Sequence, residues 1–267
     1  MAGQAQFRKE EMASHCLSAI SQERSVQLLE HDSLLHLPSS LFHHMRLLAL
    51  TDVHDSFEVM ESIIASESLA DVIILGGDIT TNGSQSDMTR ALSLAEQTGK
   101  KVIAVCGNMD PPPLEDILLE HDVSINARGV IFGDVGFFGV SAAPESFLHT
   151  PNEITEEEIA RRAELGWQEV SHARWRIFVP HAPPSGSTTD KTLIGRHVGS
   201  TAVRTFIEER QPDVVVCGHI HEARGQDVIG ETKVVNCGAA AKGYYAVIEV
   251  GGEITINNQQ LTVNSNQ

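Results

Sequence analysis

Residues 47–54 read Leu-Leu-Ala-Leu-Thr-Asp-Val-His, an apolar run that ends in polar residues. The apolar part is too short for a free-standing helix, and residues 38–40, Pro-Ser-Ser, lead into it as a loop. The run is therefore typical of a strand buried on both faces. Asp52 and His54 follow at its carboxyl end, where open α/β sheets carry their binding sites. Because they lie two residues apart on an extended segment, both side chains can reach one cation.

Two similar units follow along the chain. An apolar helical face at 57–64 precedes the strand 71–75, which ends in Gly-Gly-Asp78. A second helix, ended by Gly99, precedes the strand 102–105, which runs into Cys-Gly-Asn-Met-Asp110. Three strand-and-helix units in succession predict a parallel sheet with right-handed crossovers.

The second half of the chain repeats this pattern. An apolar strand at 176–179 leads to His181, and another at 213–217 leads to Gly-His-Ile-His221. Further β segments are predicted at 123–125, 130–132 and 137–140, with hairpins at 228–235 and, across a two-residue Gly251-Gly252 turn, at 246–256. Two sheets face to face with helices outside would bury all of these strands. We therefore predict an α/β fold, a four-layer αββα sandwich of two mixed β-sheets flanked by helices.

The pattern divides the chain into an N-terminal extension, residues 1–44, and a main domain, residues 45–267. Apolar residues at helical spacing predict a helical extension, which either packs on the main domain or serves as a partner-binding arm. Within the main domain, residues 144–173 are predicted as a helical insertion, with Thr155 and Glu158 as its capping box. Such segments often cover a site and shape its entrance.

The chain has 267 residues and a formal net charge of -17. It lacks the clustered Lys and Arg of a nucleic-acid surface, so nucleic acid is not an expected partner. Its four cysteines show no zinc-ribbon spacing, which suits a reducing compartment. We expect no signal peptide at the N-terminus, and no apolar run approaches the roughly 18 residues of a membrane span. We expect a soluble cytoplasmic protein without a membrane partner, and homo-oligomer formation is left open.

The strand ends together supply seven side chains that can hold a metal. They are Asp52, His54, Asp78, Asn108, His181, His219 and His221. Oxygen and imidazole donors without thiolate suit Mn, Fe, Zn or Ni, and this set is too large for one tetrahedral ion. Two divalent ions are therefore predicted, roughly 3.5–4 Å apart, with a shared carboxylate. Such a pair suits attack of an activated hydroxide on phosphorus.

Each position also has a structural explanation when taken alone. Asp52 and Asp78 could cap the helices that follow them, and Asn108 could be a turn residue. His219 and His221 could be ordinary loop histidines. The recurrence of such residues after one buried strand after another favours the metal site over coincidence.

The order of these motifs resembles that of the calcineurin-like metallophosphoesterase superfamily, over about residues 45–250. The motifs are Asp52-x-His54, Gly76-Gly77-Asp78, Gly107-Asn108-x-Asp110, His181 and Gly218-His219-x-His221. The resemblance implies an αββα sandwich and hydrolysis of small phosphoester substrates. It also implies two ligand sets that share Asp78 as the bridge. The first would be Asp52, His54, Asp78 and His221, and the second Asp78, Asn108, His181 and His219.

Met109 departs from the family pattern, which commonly has at this position a histidine that protonates the departing alcohol. A thioether carries no proton, and losing a general acid typically costs about 10²–10⁴ in rate. The resemblance then favours a phosphodiesterase acting on diesters with acidic leaving groups. Asn108, His181 and Asp110 remain as catalytic candidates. His197 and His149 are candidates for a replacement acid or a phosphate contact, and Arg196 and Lys191 for phosphate clamps. For each of the four, a structural role is the favoured alternative.

Two other functions compete with the phosphodiesterase. One is a phosphomonoesterase acting on nucleotides or phosphoproteins, against which Met109 counts. The other is a non-catalytic metal-binding scaffold, since this fold can serve by binding partner chains. A scaffold has no physical need to keep every ligand position, and all of them are present here.

Overall fold

A five-stranded sheet is built around the strand that contains Leu47. The computed structural model describes residues 44–261. The strands of this sheet are β1 (Met45–Leu50), β2 (Val72–Gly76), β3 (Lys101–Val105), β12 (Tyr244–Val250) and β13 (Ile254–Gln260). Their order is β13-β12-β1-β2-β3, with β1, β2 and β3 parallel and β12 antiparallel to β1. The three predicted βα units thus lie side by side.

A six-stranded sheet contains the strands of the second half. They are β4 (Gly129–Phe132), β5 (Val135–Val140), β8 (Trp175–Pro180), β9 (Val214–Cys217), β10 (Gly225–Ile229) and β11 (Thr232–Asn236). Their order is β10-β11-β9-β8-β5-β4, and both outermost pairs are antiparallel. A small pair, β6 (Ala143–Pro144) with β7 (Glu153–Ile154), lies apart. Both large sheets are mixed, as predicted.

The helices form the two outer layers. They are α1 (Phe57–Ser66), α2 (Gln85–Glu96), α3 (Leu114–Glu120), α4 (Glu156–Val170) and α5 (Thr201–Arg210). Leu47 and Ala49 pack between the sheets, whereas Leu48 and Leu50 pack against α1, α2 and α3. Helices α4 and α5 cover the other sheet through a cluster that includes Phe138. A strand with apolar neighbours on both faces needs an unbroken apolar run, which residues 47–50 provide. The two sheets and their outer helices confirm the predicted four-layer sandwich.

Two β predictions need correction. Residues 123–125 do not form a strand, because this segment passes from one sheet to the other and makes only single bridges, Ser124 with Ala104 and Asn126 with Gly139. The second hairpin has a three-residue connection, since Val250 pairs with Ile254 and Glu253 joins the two glycines in the turn.

Residues 144–173 hold a helix, as predicted, but not one that lies over the strand ends. Helix α4 is the crossover between the parallel strands β5 and β8, and it buries Ile159, Ala163 and Val170 against the second sheet. Thr155 caps it by accepting from the Glu158 N–H at 3.2 Å. The Glu158 carboxylate binds arginines on α4 instead of completing the capping box.

No helix among residues 44–261 is both long and apolar enough to cross a bilayer. The helical extension predicted for residues 1–44 lies outside the described residues, apart from His44.

Candidate dinuclear metal centre

The carboxyl ends of five strands bring the predicted ligand residues to one end of the sandwich. The loops after β1 and β2 are joined directly, because the Asp52 N–H donates to the Gly77 carbonyl at 2.9 Å and the His54 N–H to the Asp78 carbonyl at 3.0 Å. The Asp52 carboxylate also accepts from the His219 N–H at 3.1 Å, which ties the first sheet to the second. Both sheets therefore build a single site.

One triad consists of Asp52, His54 and His221, whose ligand atoms all lie within 4.8 Å of one another. The Nε2 atoms of the two imidazoles are 3.3 Å apart, and the rings meet edge to face. His221 Nε2 is 3.2 Å from Asp52 Oδ1. Asp52 is fully buried, whereas the two histidines are partly exposed.

A second triad consists of Asp78, His181 and His219, again with ligand atoms within 4.8 Å. His181 Nε2 lies 3.0 Å from Asn108 Oδ1 and 3.5 Å from Asp78 Oδ2. The same Asp78 oxygen is 3.7 Å from His54 Nε2 of the first triad. Asp78, a member of the second triad, therefore also borders the first.

The donor chemistry of both triads fits divalent cations. His181 Nδ1 is 3.0 Å from the Gly76 carbonyl, which can only accept, so Nδ1 carries the proton. In the neutral ring the remaining nitrogen, Nε2, directs its lone pair toward the oxygens of Asn108 and Asp78. Converging lone pairs repel one another unless a proton or a cation lies among them. The carbonyl contact also fixes the tautomer that a metal-binding imidazole requires.

The site is strongly coupled electrostatically. Burial by itself would raise the pKa of Asp52, but its hydrogen bond to His221 and the charge of His181 lower that pKa to about 2. Burial would lower the pKa of His181, but the charge of Asp78 raises it to about 9. Burial and the charge of His181 lower the pKa of His219 to about 4. Without a cation the His181 imidazole holds a positive charge, and a bound metal would take the place of that proton.

Four of the ligand residues have left-handed backbone conformations, which are unusual for residues with a side chain. The φ angles are 56° at Asp52, 46° at His54, 48° at Asp78 and 65° at His219. Each costs about 1–3 kcal/mol, and such residues concentrate at functional sites. The sharp bend lets each side chain turn back toward the centre directly after its strand.

Close packing at two glycines fixes the carboxylates. A Cβ on Gly107 would lie 2.0 Å from Asp78 Oδ1, and a Cβ on Gly218 would lie 2.2 Å from Asp52 Oδ2. Both are far inside van der Waals contact, so any larger residue must displace a carboxylate. Glycine is therefore required at both positions, because no side chain fits beside the ligand carboxylates.

Gly218→Ala is expected to lower kcat/KM about a hundredfold, because a displacement of about 1 Å at a catalytic centre has an effect of that size. Metal content per chain and thermal unfolding, measured on the same samples, show whether the loss arises at the site. Gly252→Ala is the matched control, since no atom lies within 4 Å of a Cβ there. Equal activity of the two variants would contradict the packing argument.

Comparison with known proteins places this site in a family. The family described as calcineurin-like phosphoesterase matches residues 45–223. The chain belongs to the calcineurin-like phosphoesterases. The family predicted from the motif order is thus confirmed, and the match spans all of the candidate ligands.

The chain is also similar to individual proteins and solved structures. "Uncharacterized protein MJ1162" of Methanocaldococcus jannaschii is 30% identical over 206 residues, which cover 76% of this chain and 91% of the relative. The crystal structure of TT1561 of Thermus thermophilus has a TM-score of 0.65 and 19% identity, covering 82% of this chain and 99% of that one. A dimetal phosphatase from Danio rerio has a TM-score of 0.59 and 10% identity, covering 81% and 96%. At these identities the structures show a shared fold.

Asp110 lies outside both triads of the phosphoesterase site. Its carboxylate accepts hydrogen bonds from the N–H groups of Ile79, Thr80 and Gly107 and from the Thr80 hydroxyl, at 2.7 to 3.1 Å. Both oxygens are therefore used in joining the loops that carry Asp78 and Asn108. This arrangement favours a positioning role over the catalytic role predicted for it.

The candidates for a replacement acid or a phosphate contact are not in the triads either. His197 pairs through Nδ1 with the buried carboxylate of Asp190 and lies in a hairpin with Lys191 and Arg196. His149 lies in the loop between β6 and β7. Among residues 44–261, none of these side chains makes a hydrogen bond or an ion pair with a candidate ligand.

Three supporting residues escaped the sequence analysis. Thr81 Oγ1 is 2.9 Å from His54 Nδ1 and orients that ring. The buried amide of Asn236 donates to the carbonyls of Gly218 and Ile220 and so fixes the loop of His219 and His221. The side chain of Asn152 donates to the Gly107 carbonyl. For Asn236 a signal was present, since a polar residue ends the apolar strand β11.

Proposed function

We propose that this phosphoesterase hydrolyses phosphodiesters with two bound divalent ions. The position of Asp78 Oδ2 carries the proposal, because it lies 3.7 Å from one triad's His54 and 3.5 Å from the other triad's His181. The proposed ligand sets are Asp52, His54, Asp78 and His221 for one ion, and Asp78, Asn108, His181 and His219 for the other. Mn, Fe, Zn and Ni all suit these donors.

Two such ions, when bound, would lower the pKa of a water molecule and offset charge on the phosphoryl oxygens. The chain's own residues supply the geometry. The Met109 N–H donates to Asp78 Oδ1 at 2.7 Å and fixes the carboxylate. The other oxygen, Oδ2, then faces His54 and His181. The Gly76 carbonyl keeps the His181 ring in one orientation.

The choice of diesters rests on Met109. Its side chain can neither donate nor accept a proton in the reaction, so the leaving group must depart without help from this position. Alkyl monoesters expel a strongly basic alkoxide and need an acid, whereas a diester with an acidic alcohol does not. Asp110 cannot take over, because its oxygens already accept four hydrogen bonds.

The test compares bis-p-nitrophenyl phosphate with an alkyl phosphate monoester as substrates of metal-stripped protein reloaded with Mn. We expect kcat/KM for the diester to exceed that for the monoester at least tenfold. Comparable rates would point to an acid elsewhere in the site and to the phosphomonoesterase alternative. Absence of turnover with two metals bound per chain would contradict the proposal and support the scaffold.

A further inference from the structure

An exposed lysine stands beside the candidate metal centre. Lys242 ends a single 3₁₀ turn, Ala240–Lys242, in the connection between β11 and β12. The Ala240 N–H donates to the Thr51 carbonyl at 2.9 Å, and the Ala241 N–H donates to the Asp52 carbonyl at 3.1 Å. The turn is therefore joined to the loop that carries the candidate ligand Asp52, and Lys242 is the next residue along the chain.

The charge of Lys242 acts on the metal centre. The hydrogen bond to Asp52 raises the pKa of His221, whereas burial and the charge of Lys242 lower it. Within residues 44–261 the Lys242 ammonium forms no ion pair with a carboxylate, although the chain has a net charge of -17. An unpaired cation beside residues that would hold two dications is repelled by them unless an anion lies among the three.

Charge balance indicates what that anion carries. Two divalent ions are balanced by the carboxylates of Asp52 and Asp78, by one hydroxide and by a phosphodiester with a single negative charge. Asp110 adds little to this balance, because four hydrogen-bond donors already surround its carboxylate. Lys242 therefore leaves one positive charge over, which a substrate with a second anionic group would balance.

The leaving group is the part of the substrate where a second anionic group meets the requirement set by Met109. That side chain supplies no proton, so the leaving group must itself be acidic. A phosphate monoester is such a group, because its second pKa is about 6, far below the pKa of an alcohol. It also carries the negative charge that an ammonium such as that of Lys242 binds.

We propose that the substrate is a diphosphate with an organic group on each phosphorus, and that Lys242 binds the phosphate that leaves. The substrate class rests on the proposed phosphodiesterase function, because each phosphorus of such a diphosphate carries two substituents, as in a diester. A hydroxide oxygen forms a bond to one phosphorus, and the bond from that phosphorus to the bridging oxygen breaks. The electron pair stays on the bridging oxygen, which departs in a phosphate monoester dianion, and the hydroxide proton stays with the other monoester.

Binding is tested by titration calorimetry of the Mn-loaded protein with a dimethyl methylenebisphosphonate that has one methyl ester on each phosphorus. A CH₂ group replaces the bridging oxygen, so this compound is not cleaved. Lys242→Gln is expected to raise Kd about ten- to a hundredfold, the contribution of a hydrogen bond to a charged group. Lys242→Arg keeps the charge and should restore most of the affinity. Lys101→Gln, the matched control, removes the charge of an exposed lysine at the amino end of β3 and should bind like the wild type.

Hydrolysis is tested with the symmetrical dimethyl diphosphate, with dimethyl phosphate and with bis-p-nitrophenyl phosphate, a soluble diester. The wild type should cleave the diphosphate at least about a hundredfold faster than dimethyl phosphate, which expels an alkoxide and needs an acid. Lys242→Gln should lower kcat/KM for the diphosphate about tenfold or more, and for bis-p-nitrophenyl phosphate much less, because that diester has no second anionic group.

Three results would overturn the proposal. Cleavage of the dimethyl diphosphate no faster than that of dimethyl phosphate would exclude the substrate class. Equal losses by Lys242→Gln on the diphosphate and on bis-p-nitrophenyl phosphate would show that the lysine binds the phosphate under attack. Wild-type affinity of Lys242→Gln for the bisphosphonate, with unchanged thermal unfolding, would show that the lysine binds neither. Failure of the proposed function is distinct, because it would abolish hydrolysis of bis-p-nitrophenyl phosphate itself.

Discussion

Asp78→Asn is expected to lower turnover at least a thousandfold and to release at least one of the two metals. Oδ2 of Asp78 lies near one histidine of each triad, 3.7 Å from His54 Nε2 and 3.5 Å from His181 Nε2. An amide of the same shape lacks the negative charge that offsets two cations, and it brings N–H donors into a set of acceptors. Charge stabilisation of several kcal/mol by a metal pair corresponds to a rate factor of about 10³ or more.

The measurement pairs kcat/KM on the soluble diester with metal content per chain by elemental analysis. Asp134→Asn is the matched control, because Asp134 is an exposed carboxylate in the turn between β4 and β5. Its variant should keep both metals and full activity. An Asp78→Asn protein that did the same would show that the proposed bridge is wrong.

The sequence predicts the architecture of the site well because one physical pattern is repeated. Each strand that is buried on both faces must be apolar throughout. Asp52, Asp78 and His181 are therefore recognisable as the polar residues that follow such strands. Parallel strands place their carboxyl ends at one edge, and the residues that follow them meet there. The order of apolar runs and of the polar residues that end them therefore predicts both the fold and the candidate ligands.

Other features depend on contacts between distant segments and leave little trace in the sequence. Asp110 has a carboxylate of the kind that catalysis uses, and only the hydrogen bonds from Ile79, Thr80 and Gly107 show that its oxygens are engaged. Residues 123–125 have the composition of a strand but cross between sheets. Helix α4 has the charged surface of an insertion, yet its buried face packs on the second sheet.

The backbone at position 109 is fixed on both sides, which makes this position suitable for restoring an acid. The Met109 N–H donates to Asp78 Oδ1 at 2.7 Å, and its carbonyl accepts from the Asn82 N–H at 2.8 Å. The next residue, Asp110, is held by the four hydrogen bonds described above. A new side chain at 109 should therefore leave the ligand loop in place, so that any change in rate reflects the chemistry of that side chain.

Met109→His is expected to raise kcat/KM on alkyl phosphate monoesters by about 10²–10⁴, the range that a general acid contributes. The gain should disappear as the pH rises through the pKa of the new imidazole, about 6.5 without perturbation, because only the protonated ring can donate. Hydrolysis of the p-nitrophenyl diester should change little, since its leaving group needs no proton. Met109→Leu is the control that separates proton donation from a change in side-chain shape, because leucine fills a similar volume and has no proton to donate. If the histidine and leucine variants hydrolyse alkyl monoesters equally, a side chain at 109 does not reach the leaving group, and the preference for diesters must have another cause.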